Sequence, residues 1–233
     1  MSAVKRARAS RPPLTEPVED YLKAIYEIER TGAAASTNDI AQRLSIAPAS
    51  VTGMVRRLAG QGLLAYERYR GVRLTDNGRQ AALRTIRRHR VIEAYLTHAL
   101  GYEWDRVHAE AERLEHAASD ELVDRMAAAI GDPDADPHGA PIPRADGTID
   151  ETSSDTLADL PLGARARIAR VSDENGELLR YLDELGMRPG VRVRVDEVAP
   201  FDGPITLVVG RARRTVGAEL ARRVFVTPDP RTD

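Results

Sequence analysis

The feature that most narrows the fold of this 233-residue chain is a set of imidazoles and carboxylates placed one helical turn apart in its middle third. His89 and Glu93 stand four apart, so on a helix they share a face. At 100° per residue, His108, Glu112, Glu115 and His116 project within an arc of about 100°. Asp20 adds a carboxylate far upstream. Three of the five histidines belong to this set. A lone His–Glu pair is usually a surface contact, and Glu-rich helices are usually solvated faces. Two such segments in one helical region point instead to helices that converge on a divalent transition metal, which imidazole and carboxylate together suit.

Composition sets outer limits. The length suits two or three small domains with a real core. The absence of cysteine excludes disulfides, thiolate zinc sites, iron–sulfur clusters and a cysteine nucleophile, and it fits a reducing cytoplasm, the expected location. No apolar run approaches the ~20 residues that span a bilayer, so no membrane partner is expected. The opening MSAVKRARASRPP is basic with no hydrophobic segment behind it; residues 1–14 read as a disordered arm, not a secretory signal. The net charge of −2 hides an asymmetry. Residues 1–78 carry twelve Lys/Arg against eight Asp/Glu, 79–157 nine against sixteen, and 158–233 thirteen against twelve. The basic first part suits a polyanion and the acidic middle suits cations.

A first helix opens at Thr15, with Pro17 in its first turn, Glu16, Glu19 and Asp20 near its positive end, and Val18, Leu22, Ile25 and Tyr26 as its apolar stripe. Ser36 or Thr37 caps a short helix to Leu44, and Ser45-Ile46-Ala47 makes a tight connection. Pro48 starts a third helix, which Gly60 and Gly62 stop. Leu63–Glu67 and Val72–Thr75 flank Arg68-Tyr69-Arg70-Gly71 as a basic hairpin that Asp76-Asn77-Gly78 ends. Helix–turn–helix followed by a hairpin makes 15–78 a winged helix. Residues 79–137 read as a helical domain interrupted near Gly101 and Ser119, and 138–157 as a linker rich in Pro, Gly and Asp. The alternating runs ARARIARV, VRVRVDEV and ITLVVG make 158–228 a small β domain with one helix over Glu177–Gly186. The fold class is multidomain, mainly α with a small β domain.

In a winged helix the second helix of the pair enters the major groove with its N-terminal residues. Here these are Ala47, Pro48, Ala49, Ser50, Thr52 and Gly53. Their small groups allow close approach and methyl contacts to thymine, while Ser50 and Thr52, with Thr37 nearby in the preceding helix, can bond phosphates or base edges. No Arg, Asn or Gln lies in that first turn, so specificity leans on shape and methyl packing. Arg56, Arg57, Arg68, Arg70 and Arg73 supply charge for the backbone. The competing reading is a winged helix used for protein contacts, which would have little need of a basic hairpin.

The order helix, helix–turn–helix, wing, RRHRVIEAYL, EWDRVHAEAERLEHAASD, DPHGAPIP and β module resembles the diphtheria toxin repressor family of metal-dependent regulators, from Thr15 to Val226. HRxxE, VHxEAxxxEH and DPHGxPIP are specific together, and the terminal module with its LGMRPG resembles the SH3-like domain of that family and of ferrous-transport accessory proteins. The resemblance implies an N-terminal winged helix, a helical metal-binding and dimerisation domain, and a C-terminal SH3-like β barrel. It implies one metal site at His89, Glu93 and His108, and another at Asp20, Glu112, Glu115 and His116. It also implies that the β module lends ligands to the first, with Asp173, Glu174 and Glu177 as candidates. Iron-responsive members carry methionine and cysteine at the Asp20 and Glu112 positions; manganese-responsive members carry carboxylates there, as this chain does. Oxygen ligands accommodate Mn²⁺ better than sulfur does, so Mn²⁺ is the expected activator and Fe²⁺ the alternative. Compact manganese regulators place a second carboxylate one turn after Asp20; Lys23 stands there instead, which argues against a closely spaced binuclear site.

The expected protein is therefore a metal-dependent homodimeric transcriptional regulator, mainly a repressor, that binds double-stranded operator DNA, takes no organic cofactor and is not an enzyme. Two other classes stay open on the residues alone. A metallohydrolase would use the His/Glu cluster to activate water, with Glu110 or Asp120 as acid or base, but no substrate pocket signature accompanies them. A metal-independent dimeric regulator would sense through its β module.

Overall fold

A computed structural model describes residues 14–30, 32–67, 71–150, 155–173 and 175–229. They form two compact units, 1–82 and 83–233, and the division falls inside a helix. The N-terminal unit opens with α1 (Glu16–Glu29), whose stripe of Val18, Leu22, Ile25 and Tyr26 is buried. Thr15 precedes the helix but makes no side-chain cap bond. α2 (Thr37–Arg43) is capped by Ser36 rather than Thr37: Asp39 N–H donates to Ser36 Oγ at 3.1 Å and Ser36 N–H donates to Asp39 Oδ2 at 3.1 Å, satisfying two orphan donors reciprocally. Ser45 turns the chain in the left-handed region (φ 54°) toward α3 (Pro48–Gly60), which buries Val51, Val55 and Leu58. β1 (Leu64–Glu67) and β2 (Gly71–Leu74) pair antiparallel, and Ala35 bridges to Val72.

Asp76-Asn77-Gly78 does not end the hairpin as an outside turn. It forms the first turn of α4 (Asp76–Leu100), because Gly78 N–H donates to Thr75 Oγ1 at 3.1 Å while that hydroxyl donates to Gly62 O at 2.8 Å. A Cβ at Gly78 would stand 2.0 Å from Leu63 O, so the hairpin and the helix start meet closely only at glycine.

In the second unit α4 continues to Gly101 (φ 72°), followed by α5 (Val107–Leu114) and α6 (Asp120–Ala129). Ser119 caps α6 by accepting from Leu122 N–H. Val91, Ile92, Leu96, Val107, Ala111 and Val123 pack as its helical core. Residues 131–150, which include the start of the stretch read as a linker, hold no helix or strand, yet Asp136 just before that stretch and His138, Ala140 and Ile142 within it are buried. It is pinned to the helices where Arg90 Nη1 donates to Pro141 O and Arg87 Nη1 to Pro143 O.

The β module holds β3 (Arg165–Val171), α7 (Gly176–Glu184), β4 (Arg192–Val198), β5 (Ile205–Val209), β6 (Ala212–Val216), α8 (Ala218–Ala221) and β7 (Val224–Pro228). The sheet order is β6-β5-β4-β3-β7, all antiparallel. Its core of Ile168, Leu179, Leu182, Met187, Val195 and Leu207 also takes in Trp104, from the connection between α4 and α5. The module is thus packed onto the helical part, and Val171 N–H donates to His138 O at 2.9 Å across that seam.

Gly139 sits at the same seam with φ 86°, and a Cβ there would lie 2.1 Å from Ala169 O. Gly139→Ala should destabilise the second unit by about 2 kcal/mol or more. Gly163→Ala, at φ 80° but facing open space, should cost less. Thermal or urea melting of both variants checks this, and equal losses would show that the close approach contributes nothing.

Candidate metal centre

α4 carries His89 and Glu93 inward on one face, both almost fully buried. His89 Nε2 lies 3.0 Å from Glu93 Oε1 and 3.1 Å from His108 Nδ1, and His108 Nδ1 lies 3.1 Å from Glu93 Oε1. Donor atoms about 3 Å apart are what an ion with ligand bonds near 2.1 Å gathers around itself. Asp173, two residues past β3, brings its Oδ2 to 3.8 Å from His108 Nδ1, so the β module contributes to this cluster. Of the other two candidates from that module, Glu177 is exposed at the start of α7 and Glu174 lies outside the described residues.

The opposite ring nitrogen of His89 serves a second group. Nδ1 lies 2.5 Å from Glu115 Oε2 and 3.6 Å from Glu112 Oε1. His116 Nε2 lies 3.5 Å from Glu115 Oε1. Glu115 and His116 fall in the turn just after α5 rather than within one continuous helix, but Glu115 keeps helical dihedrals, so the expected arc survives. One imidazole thus stands between the two carboxylate sets that the sequence reading kept apart. Asp20, the remaining member of the second set, is half-buried on α1 of the N-terminal unit.

Sequence reasoning missed a further group. Asp136 and His138 join Glu93 and Asp173 with ligand atoms mutually within 4.8 Å. His138 Nε2 lies 2.7 Å from Trp104 O, an N–H donation that leaves Nδ1 facing Glu93 Oε2 at 3.7 Å. His138 Nδ1, Glu93 Oε2 and Asp136 Oδ2 are all buried without a hydrogen bond. Such atoms cost about 1–3 kcal/mol each when left so, and three in one place match the needs of a divalent cation. The signal was present in DPHG, which the sequence reading placed at the linker boundary because Pro and Gly surround it.

Electrostatics agree with that fit. Burial would raise the Glu93 carboxyl, but His89, His108 and His138 outweigh it and hold it well below the usual carboxylate range. Burial and the neighbouring Glu93 charge push Asp136 up to about 7, against the pull of Arg90 and His138. Burial would lower His138, yet Glu93, Asp136 and Asp173 raise it to about 9.

On the N-terminal unit, Ala47, Pro48, Ala49 and Ser50 are exposed at the start of α3, Thr52 and Thr37 are half-exposed, and Arg56 and Arg57 are exposed. Arg68 and Arg70 lie outside the described residues. Arg73 is exposed on β2 and within 3.8 Å of Glu29.

Comparison with known proteins decides the family. Residues 13–72 match the iron dependent repressor N-terminal DNA binding domain, 75–144 its metal binding and dimerisation domain, and 156–228 the FeoA domain. The iron-dependent repressor IdeR of Mycobacterium tuberculosis is 32% identical over 225 residues, covering 91% of this chain and 97% of that protein. The chain belongs to the iron-dependent repressor family. Within this family, the diphtheria toxin repressor of Corynebacterium diphtheriae is 32% identical over 205 residues, covering 83% of this chain and 89% of that one. A solved manganese-dependent transcriptional repressor in complex with manganese superposes on this repressor with a TM-score of 0.84 at 37% identity, covering 91% of this chain and 99% of that one. The hydrolase reading falls away, since these relatives are transcriptional repressors.

His138, charged below about 9, must lose a proton before Nδ1 can hold an ion. Above pH 7, where Asp136 is already ionised, apparent Mn²⁺ affinity at this group should therefore rise up to pH 9 by up to ~tenfold per pH unit for the one proton that His138 releases. Trp104 stacks on His138 with ring centroids 5.7 Å apart and is the only tryptophan, so its fluorescence reads the titration. A pH-independent response, or one that survives His138→Asn, would remove His138 from the ligand set.

Proposed function

We propose that this repressor is a homodimer switched on for operator DNA by Mn²⁺, with Fe²⁺ as the alternative ion, and that it acts in the cytoplasm to hold down metal import. The observation that carries this reading is the convergence of His89, His108 and Asp173 on the buried Glu93 in a chain that also exposes the small residues of a recognition helix. His89, Glu93, His108 and Asp173 would hold one ion, with Asp136 and His138 as further donors beside Glu93 and Asp173. Asp20, Glu112, Glu115 and His116 would hold another, by likeness to the family. The ion supplies positive charge that satisfies several anionic donors at once; it is a switch and not a catalyst. By that likeness, filling of the second site would select the DNA-competent arrangement from an ensemble. Two recognition helices must then meet half-sites about 34–36 Å apart, or a multiple of that spacing.

Ala47, Pro48 and Ala49 bring no bidentate donor to a base edge, so the reading unit recognises groove shape and thymine methyls, with Arg56 and Arg57 on phosphates. Iron is the competing activator because the matched domain families and several relatives are iron-dependent by name. Donor chemistry favours manganese: Asp20 and Glu112 are oxygen ligands, and the chain has no cysteine at all.

Mn²⁺ should tighten binding to a palindromic duplex and EDTA should abolish it, measured by fluorescence anisotropy on a duplex selected from a random pool. Equal affinity in metal and in chelator would sink the switch and leave the winged helix standing. Replacing Asp20 by Met together with Glu112 by Cys should move the ratio of activation midpoints from Mn²⁺ toward Fe²⁺ under anaerobic conditions. An unmoved ratio would mean that neither residue touches the activating ion.

A further inference from the structure

The β module carries nearly balanced charge, thirteen Lys/Arg against twelve Asp/Glu over 158–233, but the sheet sorts it. Inward positions Ala166, Ile168, Val193, Val195, Leu207 and Val209 are buried, and α7 packs on them through Leu179 and Leu182, bringing Glu177, Asp183 and Glu184 with it against the single Arg180. The outward positions are arginines. Arg165 stands directly opposite Arg194, and Arg167 directly opposite Arg192, in alternate registers of β3 and β4 with Ala166 and Val193 between them. On the same face Arg194 is followed by Val208 on β5 and then Arg213 on β6, while Arg211 projects from the turn before β6.

Like charges directly opposite one another destabilise a sheet, and this face has two such pairs side by side. The local carboxylates are too few to cancel them. Asp196 is shared between Arg194 at 3.1 Å and Arg213 at 2.8 Å, with Glu197 at the edge of ion-pair range from Arg213 at 4.0 Å. Asp229 meets Arg192 at 3.2 Å, and among the described residues Arg167 donates to Gly190 O and meets no carboxylate. Among the described residues Arg165 and Arg211 meet no carboxylate. The rest of the face is Thr206, Val208 and Thr215 on β5 and β6, with Phe225 and Thr227 on β7, which add no charge.

We propose that this outer face of the sheet is a phosphate-binding surface that grips duplex DNA, adding a second contact to that of the winged helix. It rests on the DNA-binding reading above, which supplies a polyanion already held by the same chain. At the high effective concentration created by that linkage, even a weak backbone contact contributes to binding. The array of guanidinium groups suits regularly spaced phosphates; the apolar groups on the same face are Val208 and, on β7, Phe225, whose ring Arg170 already covers at 3.3 Å. The face reads no sequence; it adds affinity and salt dependence.

The test compares the full-length dimer with a variant carrying Arg165→Gln, Arg167→Gln and Arg194→Gln. These changes relieve both Arg–Arg pairs, so the melting temperature should hold or rise, which shows that the fold is intact. Binding is measured across a salt series to three probes: a short palindromic duplex with Mn²⁺, the same palindrome with long flanks, and a random-sequence duplex in EDTA. The flanks should strengthen wild-type binding and steepen its salt dependence. In the variant that gain should vanish, the random-duplex slope should fall by about 0.9 per lost phosphate contact, and binding to the short palindrome should stay unchanged. A variant indistinguishable from wild type on flanked and random duplexes overturns the proposal. Arginine-dependent capture by vesicles of phosphatidylserine with unchanged DNA binding also overturns it, in favour of a membrane surface. Loss of Mn²⁺ dependence on the palindrome in both proteins is failure of the switch alone, and the random duplex then still decides the face.

Discussion

Everything in the second unit turns on the charge of Glu93, a carboxylate with no exposure to solvent. Removing a carboxylate from water costs several kcal/mol after relaxation, so it must be surrounded by cationic or donating groups. Here three histidines from three places do so: His89 from its own helix, His108 from α5 and His138 from the irregular segment beyond α6. Each also presents a ring nitrogen that could hold an ion instead. The same constraint that organises the packing therefore makes the site responsive to a cation.

The β module is tied into that constraint. Asp173, two residues past β3, lies beside His108, Gly139 brings its backbone against Ala169, and Trp104 leaves the helices to sit in the core of the module. Trp104 also stacks on His138 and accepts its Nε2 at the backbone carbonyl, while Arg188 lies 4.7 Å over the indole ring. The apolar anchor of the module and one candidate ligand are thus a single packed pair. His89 links in the other direction, with Glu93 at one ring nitrogen and Glu115 at the other. A group that fixes the tautomer of one nitrogen fixes the lone pair of the other, so the two sets are not independent.

The two DNA-facing surfaces divide their tasks. The exposed start of α3 offers small side chains and no forked donors, which favours fit over hydrogen-bond readout. The arginine sheet offers charge without any means of reading bases. A regulator built this way separates recognition from affinity, and salt acts mainly on the second.

Local pattern was enough for most of the helices, the wing, the β module and the candidate ligand positions on α4 and α5, because helical spacing and strand alternation are properties of neighbouring residues. His89 with Glu93, and His108 with Glu112, were readable for that reason. The capping of α2 by Ser36 and the start of α4 at Asp76 needed particular hydrogen bonds, from Asp39 and from Thr75, that pattern alone leaves open. Asp136 and His138 were hidden for a different reason. Their neighbours Pro137 and Gly139 look like loop, and only the packing of that segment under β3 turns a loop histidine into a buried one. The double role of His89 and the opposed arginines of β3 and β4 likewise depend on which residues the chain brings together across long separations. Sequence determined which chemistry is available; tertiary packing decided which groups lose their water, and burial is what turns a carboxylate or an imidazole into a site.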